Sequence, residues 1–144
     1  MIKKILFLDI LTDRPWRREQ MKRHVYGGFT YPEHFRRFSG IAKNQLVSVD
    51  ASKEKLPDPS KYSAIIIGGS VKDPVKGQEK PWMIRTYGFI KKAAAKNIPI
   101  LGICGGLQFA VKALGGTIIK NPKGRNFGNS PVTLTAEGRK DPLF

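Results

Sequence analysis

The 144 residues contain one cysteine, and its surroundings suit a nucleophile. The segment is Gly102-Ile103-Cys104-Gly105-Gly106-Leu107-Gln108. An apolar run from Ile98 to Ile103, broken only by Pro99 and Gly102, leads into it. A helix-like stretch, Leu107 to Leu114, follows and ends at Gly115-Gly116. This reads as strand, sharp turn, helix, with a thiol at the apex. Such an elbow holds its nucleophile in a strained backbone conformation with neighbouring backbone packed close. Gly102 and Gly106 flank Cys104 where a β-carbon would crowd the turn. The thiolate is the reactive form, and a helix N-terminus favours it. The Gly105 amide would face an anion forming at an attacked carbonyl. A lone cysteine is otherwise often a small buried hydrophobe; the paired glycines and the strand-to-helix context favour the elbow.

A second feature is the run Tyr62-Ser63-Ala64-Ile65-Ile66-Ile67 ending in Gly68-Gly69-Ser70. A strand running into two glycines can bring bare amides up to a ligand. Taken alone, the same residues read as an ordinary strand-ending turn.

The elements that must position these groups follow from the hydrophobic pattern. Ile2 to Asp9 contains the continuous apolar run Ile5 to Leu8, the mark of a strand covered on both faces of a parallel sheet. Pro15 to His24 reads as a polar helix, broken by Gly27-Gly28. Pro32 to Lys43 reads as a second helix, with Phe35, Phe38, Ile41 and Ala42 on one face. Gln45 to Ala51 alternates like a strand. Pro81 to Asn97 reads as a helix with Trp82, Phe89, Ile90, Ala93 and Ala94 inward, as core, and Lys91, Lys92 and Lys96 outward. Beyond the elbow, Thr117 to Lys120 reads as a short strand and Pro131 to Thr135 as an antiparallel one. Alternating strands and helices imply βαβ units, hence an α/β fold with a mostly parallel central sheet.

Composition is ordinary for a globular protein, at 40% hydrophobic and 26% charged residues. No apolar run reaches the roughly 20 residues needed to cross a bilayer, and the first apolar run is too short for a signal peptide. No membrane partner is expected. A single cysteine cannot form an internal disulfide, which fits a reducing cytoplasm. The net charge of +15 permits polyanion binding, but it is spread along the chain without a nucleic-acid motif. A solvated basic surface is the better reading. No metal-ligand cluster and no glycine loop after the first strand point to a cofactor, so none is expected.

The segment Gly102 to Gln108, followed by Ala113-Leu114-Gly115-Gly116-Thr117, resembles the nucleophile motif of the class I glutamine amidotransferases, whose glutaminase domains are typified by that of GMP synthetase. Gly68-Gly69-Ser70 is similar to the family's glycine loop, and Glu79-Lys80-Pro81-Trp82 to its entry into the next helix. Tyr26 to Phe38 resembles a stretch of the stand-alone, GMP-synthetase-like members. Asn126 to Thr135 and Asp141 to Phe144 resemble later family segments. The resemblance implies a flavodoxin-like three-layer fold with helices on both faces of the sheet. It implies attack by Cys104 on the side-chain amide of glutamine, a glutamyl thioester, and release of ammonia and glutamate. Gly69 and Gly105 would form the oxyanion hole, and Gln108 would help hold the glutamine. Partners would be glutamine or a γ-glutamyl substrate and a synthetase subunit accepting ammonia.

A thiol nucleophile needs a base, usually histidine. The family places a His-x-Glu pair downstream of the cysteine, and no histidine follows Cys104 in this sequence. Residues 1–144 therefore read as the N-terminal part of one such domain, with its fold incomplete at the C-terminus and the base absent. A second chain that completes the domain is one alternative. His24 and His34 read as surface or packing residues, with a return to the thiol the lesser possibility. Further alternatives are hydrolysis of other γ-glutamyl amides or peptides, and a non-catalytic interaction or redox-sensing protein.

Overall fold

The computed structural model describes residues 4–75, 77–124 and 128–142. Expectations placed on Ile2 and Lys3, on Asn126 and Phe127, and on Leu143 and Phe144 lie outside these residues.

Four parallel strands form one sheet: β1 (Lys4–Asp9), β2 (Leu46–Asp50), β3 (Tyr62–Ile67) and β4 (Ile100–Gly102), in the order β2-β1-β3-β4. Four α-helices accompany them: α1 (Pro15–His24), α2 (Tyr31–Ser39), α3 (Pro81–Ala95) and α4 (Gly105–Ala113). Parallel neighbours need crossovers, and here α1 and α2 link β1 to β2 while α3 links β3 to β4. The expected α/β architecture with helices on both faces is therefore present.

The two faces of the sheet follow from strand alternation. Leu6 and Leu8 of β1 and Ile65 and Ile67 of β3 share a core with Met83, Tyr87 and Ile90 of α3 and Phe109 of α4. Phe109 is fully buried, stacked on Trp82 at 5.8 Å and edge-on to Tyr87 at 5.4 Å. Burying each such side chain contributes about 1.5–3 kcal/mol, so the α3–α4 layer is the main support for α4. Phe7 looks the other way, beneath α2, with its ring 5.2 Å from Tyr31 and 5.1 Å from Phe35.

Several local expectations are corrected. The second helix stops at Ser39 because Gly40 turns left-handed at φ 70°, so Ile41 and Ala42 are not helical. Phe38 is 82% exposed rather than inward, and its ring lies 5.0 Å from that of His34. Of the side chains expected inward in 81–97, Trp82, Phe89, Ile90 and Ala93 are buried and Ala94 is half-buried; Lys91, Lys92 and Lys96 are exposed, and the helix ends at Ala95 rather than Asn97. Neither Thr117–Lys120 nor Pro131–Thr135 is a strand. The apolar pair Ile118-Ile119 and the alternation of 131–135 suit a strand, but among the described residues neither segment has a ladder partner, and a strand requires one. β4 is thus an edge of the described sheet, with Leu101 42% exposed.

Candidate active site

The site is assembled where the carboxyl ends of β3 and β4 meet the N-terminus of α4. The backbone of β4 runs on past Gly102, with the Ile103 amide donating to the Ile67 carbonyl at 3.0 Å. The chain then reverses at Cys104, which has φ 52° and ψ −109°, a conformation few side-chain-bearing residues adopt. Cys104 is the residue before α4, its carbonyl already accepting from the amides of Leu107 at 3.1 Å and Gln108 at 3.3 Å. Its side chain is exposed. The sequence expectation of a strained, accessible thiol on a strand-to-helix turn matches this geometry.

The flanking glycines are needed because the backbone passes so close. A β-carbon on Gly102 would lie 2.7 Å from the Leu107 nitrogen. One on Gly106 would lie 2.2 Å from the Ile67 carbonyl oxygen, and one on Gly105 would lie 2.5 Å from the Ser70 nitrogen. All three distances are below any real carbon contact. The α4 N-terminus is therefore seated on the end of β3 and on the glycine loop that follows it.

That loop is held from the other side by β1 and its continuation. Gly68 N–H donates to the Leu8 carbonyl at 3.1 Å and Val71 N–H to the Leu11 carbonyl at 3.0 Å. A β-carbon on Gly69 would stand 3.9 Å from the Cys104 β-carbon and 3.3 Å from the Tyr31 hydroxyl oxygen. Gly69 and Gly105 are thus both beside Cys104, as the sequence suggests. The two amides differ, however. Among the described residues no backbone acceptor is recorded for Gly105 N–H, whereas Gly69 N–H donates to Tyr31 Oη at 2.6 Å.

Tyr31 was not singled out from the sequence, and nothing in it marks a contact across 38 positions. Its ring is stacked on Tyr26 at 5.0 Å, edge-on to Phe7, and laid against Gly68, where a β-carbon would be 2.6 Å from Tyr31 Cε1. Burial raises its pKa, the hydrogen bond from Gly69 works against that rise, and the neighbouring Asp9 and Cys104 charges add to it. The hydroxyl therefore keeps its proton at neutral pH.

A second group that sequence reasoning missed locks the ends of β1 and β2. Arg18 of α1 donates to Asp9 Oδ2 at 2.7 Å, to Asp50 Oδ1 at 2.9 Å and to the Thr12 carbonyl at 2.8 Å. Asp9 is 5% exposed, and it also accepts from Leu11 N–H at 2.9 Å. Burial pushes its pKa up despite the Arg18 charge. A cavity of about 390 Å³ opens beside this network, with Asp9, Arg18, Tyr26, Tyr31 and Asp50 in its wall. Tyr31 thus both borders the cavity and holds the Gly69 amide.

Gln108 lies one turn along α4 from Cys104, half-buried. His34 packs its ring against Tyr26 at 5.1 Å and Phe38 at 5.0 Å, and His24 is exposed at the end of α1. Among the described residues no hydrogen bond joins either histidine to Cys104. No group of three or more potential metal ligands occurs among them, and no helix is long and apolar enough to cross a membrane.

Comparison with known proteins agrees with this arrangement. Residues 32–143 match the family model for "Glutamine amidotransferase class-I". The chain is 36% identical to the glutamine amidotransferase-like protein chry6 of Gibberella zeae over 60% of its length and 37% of that protein's. It is 36% identical to a glutamine-hydrolyzing GMP synthase of Thermosipho africanus over 69% of this chain and 17% of that one. It is 32% identical to gamma-glutamyl peptidase 4 of Arabidopsis thaliana over 62% of this chain and 35% of that one. The matched stretches therefore span well under half of these relatives. The fold superposes on the crystal structure of a glutamine amido transferase from Methylobacillus flagellatus with a TM-score of 0.56, covering 85% of this chain and 43% of that chain at 20% identity. A strained cysteine at the head of α4, a glycine loop packed against it and a family match across most of the chain lead to one conclusion: the protein belongs to the class-I glutamine amidotransferases.

Proposed function

We propose that Cys104 is the nucleophile of a glutaminase reaction on the side-chain amide of glutamine. The observation that carries this reading is the Cys104 backbone at φ 52°, before α4, with Gly105 packed so closely on Ser70 that a β-carbon there would lie 2.5 Å from the Ser70 nitrogen. In the reaction, the Cys104 thiolate adds to the amide carbon and the carbonyl electron pair moves to oxygen. Gly105 N–H would meet that oxygen, and the positive end of α4 would favour the negative charge forming on it. Collapse expels nitrogen as ammonia and leaves a glutamyl thioester, which water opens to glutamate. Gln108, on the same helix, helps hold the substrate. Proton transfer to the leaving nitrogen requires an acid, for which neither His24 nor His34 stands in position; the His-x-Glu pair of the family is the proposed source. The ammonia acceptor would be a synthetase domain or subunit, as the similarity to a GMP synthase suggests.

The test uses a reagent that needs no base. A chloroketone analogue of glutamine is expected to alkylate Cys104 stoichiometrically, as read by intact mass. Cys104→Ser should give no adduct. Since the chain has no other cysteine, an unmodified protein under saturating reagent refutes the reading.

The similarity to a γ-glutamyl peptidase favours a second substrate class, γ-glutamyl amides of larger amines. Both classes share the γ-glutamyl carbonyl and the thioester. Release of ammonia from glutamine and of amine from a γ-glutamyl anilide, compared side by side, separates them.

A further inference from the structure

The Gly69 amide cannot serve an oxyanion directly while its hydrogen is held by Tyr31 at 2.6 Å. A hydroxyl, however, has one proton to give as well as lone pairs to receive. Tyr31 Oη receives from Gly69, and among the described residues no acceptor is recorded for its own O–H. The hydroxyl oxygen and the Cys104 β-carbon both lie within 4 Å of one point, the place a β-carbon on Gly69 would occupy. The hydroxyl is therefore a neighbour of the thiol-bearing carbon, the two facing the same side of Gly69.

The ring cannot easily leave. Phe7 meets it edge-on, Tyr26 stacks on it at an interplanar angle of 8°, and Gly68 admits it against bare backbone. A substrate thus meets Tyr31 where the structure has it. We propose that Tyr31 O–H is the second donor of the oxyanion hole, standing between the Gly69 amide and the substrate oxygen. This deepens the reading of Cys104 as nucleophile and rests on it. The Gly69 N–H then acts through Tyr31: a hydroxyl that accepts one hydrogen bond is polarised into a better donor for the next. Tyr31 touches the reacting oxygen in this account and is a catalytic residue.

The experiment compares two reagents on the wild type and Tyr31→Phe. The first is 5-oxopentanoate, an aldehyde of the glutamine side chain that lacks the amino group through which glutamate semialdehyde cyclises. The Cys104 thiolate adds to its carbonyl carbon, the C=O electron pair moves to oxygen, and the oxyanion finally takes a proton from water. The reversible hemithioacetal protects Cys104 from alkylation. The second is iodoacetamide alone, which displaces iodide at a saturated carbon and forms no oxyanion. Loss of the hydroxyl should weaken aldehyde protection by about 10- to 100-fold, the scale of losing one oxyanion-hole donor. The iodoacetamide rate should stay unchanged, which also shows that the thiol and its surroundings survive the substitution. Gly69→Ala, which inserts a methyl between Tyr31 Oη and Cys104, should weaken protection in the same way. Equal protection in Tyr31→Phe overturns the assignment, and tighter protection would make the hydroxyl a plug rather than a donor. If the aldehyde never protects Cys104 in the wild type, the nucleophile reading falls, and this inference with it.

Discussion

The seat of α4 on β3 is the geometric condition for the site, and Gly106→Ala tests it. The new β-carbon would stand 2.2 Å from the Ile67 carbonyl oxygen, 2.8 Å from the Ile67 carbonyl carbon and 2.9 Å from the Gly68 carbonyl oxygen. All three atoms are backbone, held by the β1–β3 ladder, so no side chain can swing away. Reaching an ordinary carbon–oxygen separation requires α4 to retreat by about 1 Å, a gap that forfeits a quarter to a half of each dispersion contact across it. The contacts at risk are those of Phe109 and Ala113 with Trp82 and Tyr87. Overpacking of this kind costs typically 1–3 kcal/mol, and the backbone clash puts Gly106→Ala at about 3 kcal/mol or more. For a chain of this size, the midpoint should fall by about 10 °C.

Gly88→Ala is the matched control. Gly88 is exposed in the middle of α3, and nothing lies within 4 Å of its added β-carbon. The same chemical change there should stabilise by about 1 kcal/mol through helix propensity alone. Thermal unfolding followed by circular dichroism reads both variants. A Gly106→Ala midpoint within error of the wild type would show that α4 does not rest on β3. The elbow geometry would then fall with it.

The other predictions concern strain and charge. Cys104→Gly should abolish alkylation yet raise stability by about 1 kcal/mol, because glycine adopts φ 52° without a penalty; a loss of stability in thermal melts would show that the turn is unstrained. Arg18→Met leaves Asp9 buried without its cation and should cost about 3–5 kcal/mol at neutral pH. The sign of its pH dependence follows from Asp9: burial already raises that pKa, and losing Arg18 raises it further, so protonation at acid pH removes the penalty. The cost measured at pH 4 should be smaller than at pH 7, and a cost independent of pH refutes the account. Lys80→Met removes the hydrogen bond that lowers the Asp13 pKa, a contribution present above the unfolded carboxylate pKa and lost as pH falls through the folded value. The pair is partly exposed and screened by solvent, so the loss should be no more than about 1 kcal/mol at neutral pH, and none should remain in acid.

Much of the architecture was legible because punctuation and period agreed. Pro15 at the start of α1 and Gly27-Gly28 beyond it bracket a helix whose bounds match the expectation, Pro15 to His24. The run Tyr62 to Ile67, closed by Gly68-Gly69, marks β3 residue for residue. Errors arose where a pattern lacked a partner. Phe38, Ile41 and Ala42 complete a helical face on paper, but Gly40 ends the helix before the last two can join it. Val132 and Leu134 alternate with threonines, yet no strand lies beside them. The Tyr31–Gly69 hydrogen bond and the Asp9–Arg18–Asp50 bridge were invisible for another reason. Both join groups brought together only when β1, β2 and β3 lie side by side, and neither leaves a periodic trace.

The glycines and the cysteine of the elbow answer to different demands, though they are neighbours in sequence. Gly102, Gly105 and Gly106 are required by packing, because each faces backbone at less than a contact distance. Replacing any of them should damage fold and site together, so such variants cannot report on chemistry alone. Cys104 meets no packing demand: it is exposed, and its backbone conformation disfavours any residue with a β-carbon. A structural cysteine would be buried and relaxed, and a turn chosen for stability would place glycine here. Strain of about 1–3 kcal/mol at an exposed cysteine is retained where something other than folding calls for it. The combination of cost at position 104 and close fit at 102, 105 and 106 is what separates a reactive elbow from an ordinary strand-to-helix turn.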